Sequence, residues 1–169
     1  MLISAAYREL NAEMHRQKPQ YGASGARSAA QVLQIAGRFD CHSVLDYGCG
    51  KGTLKDAIGL TLHVREYDPA IVGKEATPVS ADMVFCGDVL EHIEPESIDA
   101  VLDDIRRCTG KIAVLLVSTV PSAKHLPDGR NAHILVHPPA WWVPFLMKRW
   151  DMTKFDAGKN GFLFIGVPN

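Results

Sequence analysis

The chain has 169 residues, 47% of them hydrophobic and 22% charged, with a formal net charge of -1. That composition excludes a disordered or fibrous chain and leaves enough apolar material for one compact domain of ordinary size. The near-neutral balance gives no electrostatic drive toward a phosphate backbone or an anionic membrane, so a long nucleic acid is a disfavoured partner. Cys41, Cys49, Cys86 and Cys108 form no C-x-x-C pair, and free thiols are expected rather than a zinc knuckle or disulfide framework. The N-terminal Met-Leu-Ile-Ser-Ala-Ala-Tyr-Arg meets charge too early for a signal peptide or a membrane span, and a cytoplasmic compartment is expected.

Residues 4–17 and 25–38 read as helices, the second carrying Ala29, Val32, Leu33 and Ile35 at helical spacing. Together they make residues 1–40 a helical lead-in, or lid, to the rest of the same domain. A strand at Ser43–Tyr47, a glycine loop, a helix over 53–60 and a strand over 62–67 follow as a βαβ unit. A third strand is expected over 82–86, a helix over 95–108 and a fourth strand over 111–118, whose unbroken apolar run predicts a central, parallel place in a sheet. Residues 120–131 read as irregular and 139–149 as a helix. Strands over 152–155 and 162–167, joined through Gly158-Lys-Asn-Gly161, read as an antiparallel pair at the sheet edge. The sum is an α/β fold, Rossmann-like and doubly wound, with a mostly parallel sheet.

The most informative segment is Val44-Leu45-Asp46-Tyr47-Gly48-Cys49-Gly50-Lys51-Gly52, an apolar strand that ends in an acid and enters three alternate glycines. Glycine permits a tight turn and lets a ligand approach the backbone. A Walker phosphate loop is excluded because Lys51 is followed by Gly52 instead of Ser or Thr. A dinucleotide would bring its pyrophosphate near the Asp46 carboxylate, whereas S-adenosylmethionine brings an ammonium and a sulfonium, which a carboxylate attracts. The second strand closes in Glu66-Tyr67-Asp68-Pro69. Asp68 follows Asp46 at about the spacing, roughly 20 residues, of a ribose-binding acid. Its alternative is a turn starter before Pro69.

The runs V-L-D-Y-G-C-G-K-G, E-Y-D-P and D-M-V-F-C-G-D-V-L-E-H-I resemble motifs I, II and IV of class I S-adenosylmethionine-dependent methyltransferases, over about the central half of the chain. The segment from Asn131 to Trp142 is similar to one in small-molecule members of the ubiquinone-pathway type. The compact tail and Asp128-Gly-Arg-Asn-Ala-His133 resemble phage-encoded methyltransferase-like proteins. The resemblance implies S-adenosyl-L-methionine as cofactor, with Asp46, Gly48, Gly50 and Gly52 at its methionine end, Asp68 on the ribose and Pro69 on an adenine face. Asp88 and Val89 would border the cofactor, and Tyr21 would fold over the methionine carboxylate, a plain turn being the alternative for Tyr21. One departure stands out. The stretch between Asp68 and Asp82 is too short for the usual helix and third-motif strand, which must be short or missing together with the acid it carries. Glu75 is a stand-in for that acid, or a solvated loop residue.

The catalytic candidates are His92, His133 and Asp88, at or beyond the end of the third strand. Either imidazole can take a proton from an acceptor hydroxyl or amine, or serve as a hydrogen-bonded structural histidine. In some quinone-pathway relatives an acid-x-x-Glu-His group holds a divalent ion, a pattern that Asp88, Glu91 and His92 match. Most chains with V-L-E-H use no metal, so Mg²⁺ is not favoured. Trp141 and Trp142 adjoin on a helix and cannot share one face, so one packs in the core while the other is free to line a pocket. The expected acceptor is a small molecule or one of nucleotide size. Gly87-Asp-Val-Leu stands where an N-P-P-Y tetrapeptide would signal amino methylation of a base. The competing readings are a nicotinamide oxidoreductase and an S-adenosylmethionine-binding protein without methylation. No feature specifies an oligomeric state.

Overall fold

An unbroken apolar strand needs cover on both faces, and the order of the elements provides it. In the computed structural model, which describes residues 1–169, the strands are β1 (Ser43–Tyr47), β2 (His63–Tyr67), β3 (Ala81–Gly87), β4 (Thr109–Ser118), β5 (Trp150–Ala157) and β6 (Gly161–Pro168). They form one sheet in the order β2-β1-β3-β4-β6-β5. The β2, β1, β3 and β4 neighbours pair in parallel, while β6 runs antiparallel to both β4 and β5. This is the expected α/β class, with its antiparallel pairing at one edge.

Side-chain alternation sorts the sheet into two cores. Ile112 and Val114 of β4 pack with Val44, Met83 and Phe85 under α2 (Ala29–Arg38) and α3 (Thr53–Ile58). Ala113, Leu115 and Val117 pack with Leu45, Val84 and Cys86 under α4 (Ile98–Cys108) and α5 (Pro139–Met147). α4 turns Ile98, Val101, Leu102, Ile105 and Cys108 inward, the stripe that a 3.6-residue period produces. All four cysteines are free and buried.

Several boundaries differ from expectation for local reasons. The helix expected from residue 95 opens as a separate 3₁₀ turn, Pro95–Ser97, and only then becomes α4. The helix expected over 25–38 likewise begins with the 3₁₀ turn Gly25–Ser28. α3 stops at Ile58 because Gly59 takes a positive φ of 61°. β5 begins at Trp150, ahead of the expected residue 152, since that indole is fully buried in the core. Residues 68–80 contain no strand, leaving β2 at the sheet edge, and Glu75 is exposed there.

The first helix belongs to neither core. α1 (Ala5–Gln17) lies across the carboxyl end of the sheet, where Tyr7 and Met14 pack with Tyr21 and Leu126. Its start is fastened by Ser4, whose backbone N–H and hydroxyl each donate to the Glu94 carboxylate at 2.7 Å. The Tyr7 hydroxyl donates to the His92 carbonyl at 2.7 Å. No helix is long and apolar enough to cross a membrane.

Candidate functional site

From β1 the chain crosses to β2 on one side, then returns to β3 on the other. Open α/β sheets bind ligands at such a switch point, outside the carboxyl ends of the strands. Here the loops after β1, β2, β3 and β4 meet under α1 around a cavity of about 440 Å³. That volume lies within the range of about 300–1,000 Å³ usual for small-molecule sites.

The glycine loop is held by its neighbours on every side. Gly48 N–H and Cys49 N–H both donate to the Tyr67 carbonyl at the end of β2, at 2.7 and 3.0 Å. Gly50 has φ 51°, and a Cβ there would collide with the Gly22 carbonyl, which also accepts the Lys51 N–H at 2.7 Å. The loop and the lead-in turn therefore interlock backbone against backbone. A Cβ on Gly48, at φ 79°, would collide with Val89.

Gly48 and Gly50 reach the cavity wall, as do Tyr21, Asp68, Pro69, Asp88, Val89, His92 and His133. Asp46 and Gly52 lie behind it. Gly52 faces the Glu66–Lys74 ion pair, which closes at 2.9 Å. The Asp46 carboxyl is buried with no hydrogen bond, and burial, reinforced by Glu66, raises its pKa to about 7. Asp68 is buried at the wall. One of its oxygens accepts the Gly50 N–H at 3.0 Å and the other the Ala70 N–H at 2.9 Å, while His15 Nε2 stands 3.9 Å away. Tyr21 donates its hydroxyl to Asn11 at 2.7 Å, and burial pushes its pKa well up.

The same wall carries a compact polar group. Ligating atoms of Glu91, His92 and His133 all lie within 4.8 Å of one another, and the two imidazoles meet edge to face at 4.7 Å. Glu91 Oε1 accepts the Ser118 N–H at 3.1 Å, but Oε2 has no partner, and burial raises the carboxyl pKa to about 8. His92 Nδ1 also lacks a partner. Burial, with His133 beside it, lowers the His92 pKa to about 3. His133 Nδ1 sits 2.7 Å from the Val120 carbonyl, which assigns the proton to Nδ1 and leaves the Nε2 lone pair free. The sequence pattern pairs Asp88 with Glu91 and His92, but the fold does not. Asp88 is exposed, in a left-handed conformation at φ 57°, and the third member of the group is His133.

Tyr7, Asn11 and His15 of α1 also line the cavity and were not among the expected site residues. Their i, i+4, i+8 spacing was the available signal, a polar aromatic stripe along one helix face. Trp142 is fully buried, and Trp141 stacks on His137 at 4.0 Å. Neither indole is part of the cavity wall.

No protein-family model matches the chain, and no curated protein matches its sequence. Solved structures do match. The 1,6-didemethyltoxoflavin-N1-methyltransferase of Burkholderia thailandensis, with bound 1,6-didemethyltoxoflavin and S-adenosylhomocysteine, superposes with a TM-score of 0.70 at 15% identity, covering 98% of this chain and 88% of that one. Magnesium protoporphyrin IX methyltransferase from Synechocystis PCC 6803, with bound SAM, gives 0.61 at 16% identity over 92% and 84%. DhpI in its SAH complex gives 0.61 at 19% identity over 98% and 94%. At such identities the shared property is the fold, and this chain has the mixed, mostly parallel six-stranded α/β sheet typical of the methyltransferase Rossmann-like fold.

Proposed function

We propose that the protein is an S-adenosyl-L-methionine-dependent methyltransferase acting on a small-molecule acceptor, with residues 1–40 serving as the lid of the same domain. The observation that carries this reading is one cavity lined both by the Asp68 carboxylate with Gly48 and Gly50 and by the Glu91, His92 and His133 group. The Asp68 carboxylate suits a cationic cofactor with ribose hydroxyls. A pyrophosphate at the glycine loop would meet that carboxylate, and the lysines beside the loop are engaged there, Lys51 Nζ with the His15 carbonyl and Lys74 with Glu66; the cations of the cavity wall itself are Arg27 and Lys124.

When bound, the cofactor supplies a methyl group already activated on a sulfonium. The protein has to align the acceptor, remove its proton and exclude water. In this reading Asp68 accepts hydrogen bonds from the ribose hydroxyls, and the glycine loop lets its backbone meet the methionine end. Tyr7, Asn11 and His15 of α1 roof the cavity against solvent. The imidazoles of His92 and His133 serve the acceptor, with His133 Nε2 presenting a lone pair to its hydroxyl or amine. A lid that closes over about 440 Å³ fits a small acceptor better than a polymer.

A ligand that binds only the folded state stabilises it by RT ln(1 + [L]/Kd). Thermal melting is therefore expected to rise with S-adenosylhomocysteine concentration and to be indifferent to NAD. No shift with S-adenosylhomocysteine at millimolar levels, or a larger one with NAD, would remove the proposal.

A further inference from the structure

We propose that Glu91, His92 and His133 form a binding site for one divalent transition-metal ion on the acceptor side of the cavity. Their ligating atoms converge within 4.8 Å from two separate loops. In the same three residues two atoms, Glu91 Oε2 and His92 Nδ1, are buried and have no hydrogen-bond partner. An unpaired buried polar atom costs about 1–3 kcal/mol, and native structures rarely keep two in one cluster uncompensated. An ion in the cavity would satisfy both at once.

The group is also braced in the manner of a ligand set. Ser118 N–H holds Glu91 Oε1, and the Val120 carbonyl holds His133 Nδ1, so these two residues each keep one atom anchored and one free. Such outer contacts orient ligands and fix the imidazole tautomer. The Leu135 N–H donates to the Glu91 carbonyl at 2.9 Å, tying the segment that carries His133 to the turn that carries Glu91 and His92. Metal–ligand bonds of about 2.0–2.2 Å require the three atoms to draw together, a matter of small side-chain rotations.

Two imidazoles and one carboxylate suit zinc, cobalt, nickel or ferrous iron and disfavour magnesium and calcium, which take oxygen ligands. Three protein ligands leave at least one coordination position open to the cavity. On the methyltransferase reading, that position selects an acceptor with an oxygen or nitrogen donor able to reach the ion, such as a phenol or an enol. With the His133 Nε2 lone pair given to the ion, the metal would replace it in activating the acceptor: coordination would acidify the donor, whose proton would leave to water before methylation.

The test uses the full chain freed of metal with a chelator, titrated with Co²⁺, Zn²⁺ and Mg²⁺ by calorimetry and visible spectroscopy. Co²⁺ is expected to bind at one equivalent, with visible ligand-field bands and no thiolate charge-transfer band, to be displaced by Zn²⁺, and to outbind Mg²⁺. Glu91→Gln and His133→Asn each retain the anchoring hydrogen bond and lose a ligand, and each should weaken Co²⁺ by about tenfold or more. His42→Ala, which removes the exposed His42–Asp40 pair at 3.5 Å, should leave Co²⁺ affinity unchanged. Circular dichroism checks each variant's fold, and His92→Gln replaces any that unfolds. The site is ruled out by absent saturable Co²⁺ binding, a thiolate spectrum, equal affinity for Mg²⁺, or affinity that survives the ligand variants. S-adenosylhomocysteine affinity, measured on the same metal-free samples, separates failure of this site from failure of the methyltransferase reading.

Discussion

Asp68 has structural work to do before any ligand arrives. Its carboxylate accepts the Gly50 and Ala70 N–H groups and so fixes the glycine loop to the end of β2. Asp68→Asn keeps an acceptor for Gly50 while removing the charge. It is expected to leave the fold intact and weaken S-adenosylhomocysteine by about 1–3 kcal/mol, the worth of charge-assisted hydrogen bonds. Calorimetry reads this directly, and an unchanged Kd would reduce Asp68 to a loop brace. Asp46 presents the opposite case, a buried carboxyl with no partner, its pKa raised from 3.8 to about 7. Below pH 4 both folded and unfolded chains hold the proton. Between pH 4 and 7 only the folded chain holds it, so stability falls across that window as pH rises, at up to about 1.4 kcal/mol per pH unit. Asp46→Asn should therefore melt progressively higher than the parent from pH 4 to pH 7, with the difference level above that. Parallel melting curves for the two proteins across that range would contradict the assignment.

Among the elements, α1 shows how far local pattern reaches. Its existence was read from residues 4–17, and its start is local: Ser4 Oγ accepts the Tyr7 N–H at 3.2 Å. Its use as a roof was not legible, because that depends on Glu94, ninety positions away, receiving both Ser4 donors. Glu94→Ala removes that clasp. Amide exchange in α1 is expected to quicken by about tenfold or more, as loss of about 1–3 kcal/mol of docking would produce, while β1, β3 and β4 stay protected. Hydrogen-exchange mass spectrometry decides it, and unchanged α1 protection would show that Tyr7 and Met14 hold the roof unaided. The strands were legible for the same local reason. β1 and β4 are apolar runs, and β2 ends in a charged stop. Boundaries slipped where packing decided the matter, as at Trp150, whose burial pulls β5 two residues earlier than its pattern suggested.

At the scale of the molecule, the sequence by itself determined the α/β class, the glycine turn, the acid that follows β2 and the lack of a strand between Asp68 and β3. Each is written in neighbouring residues whose spacing, conformational range or chain length permits few alternatives. Only the tertiary structure decided the strand order and therefore the switch point between β1 and β3, because pairing depends on contacts between segments far apart in the chain. It likewise set Asp46 and Gly52 behind the cavity wall, left Asp88 exposed, and brought His133 from beyond β4 to Glu91 and His92. Sequence spacing says which residues share a strand or a helix face, whereas a site is made where loops of different elements meet, and that meeting is settled by how the two cores pack against one sheet.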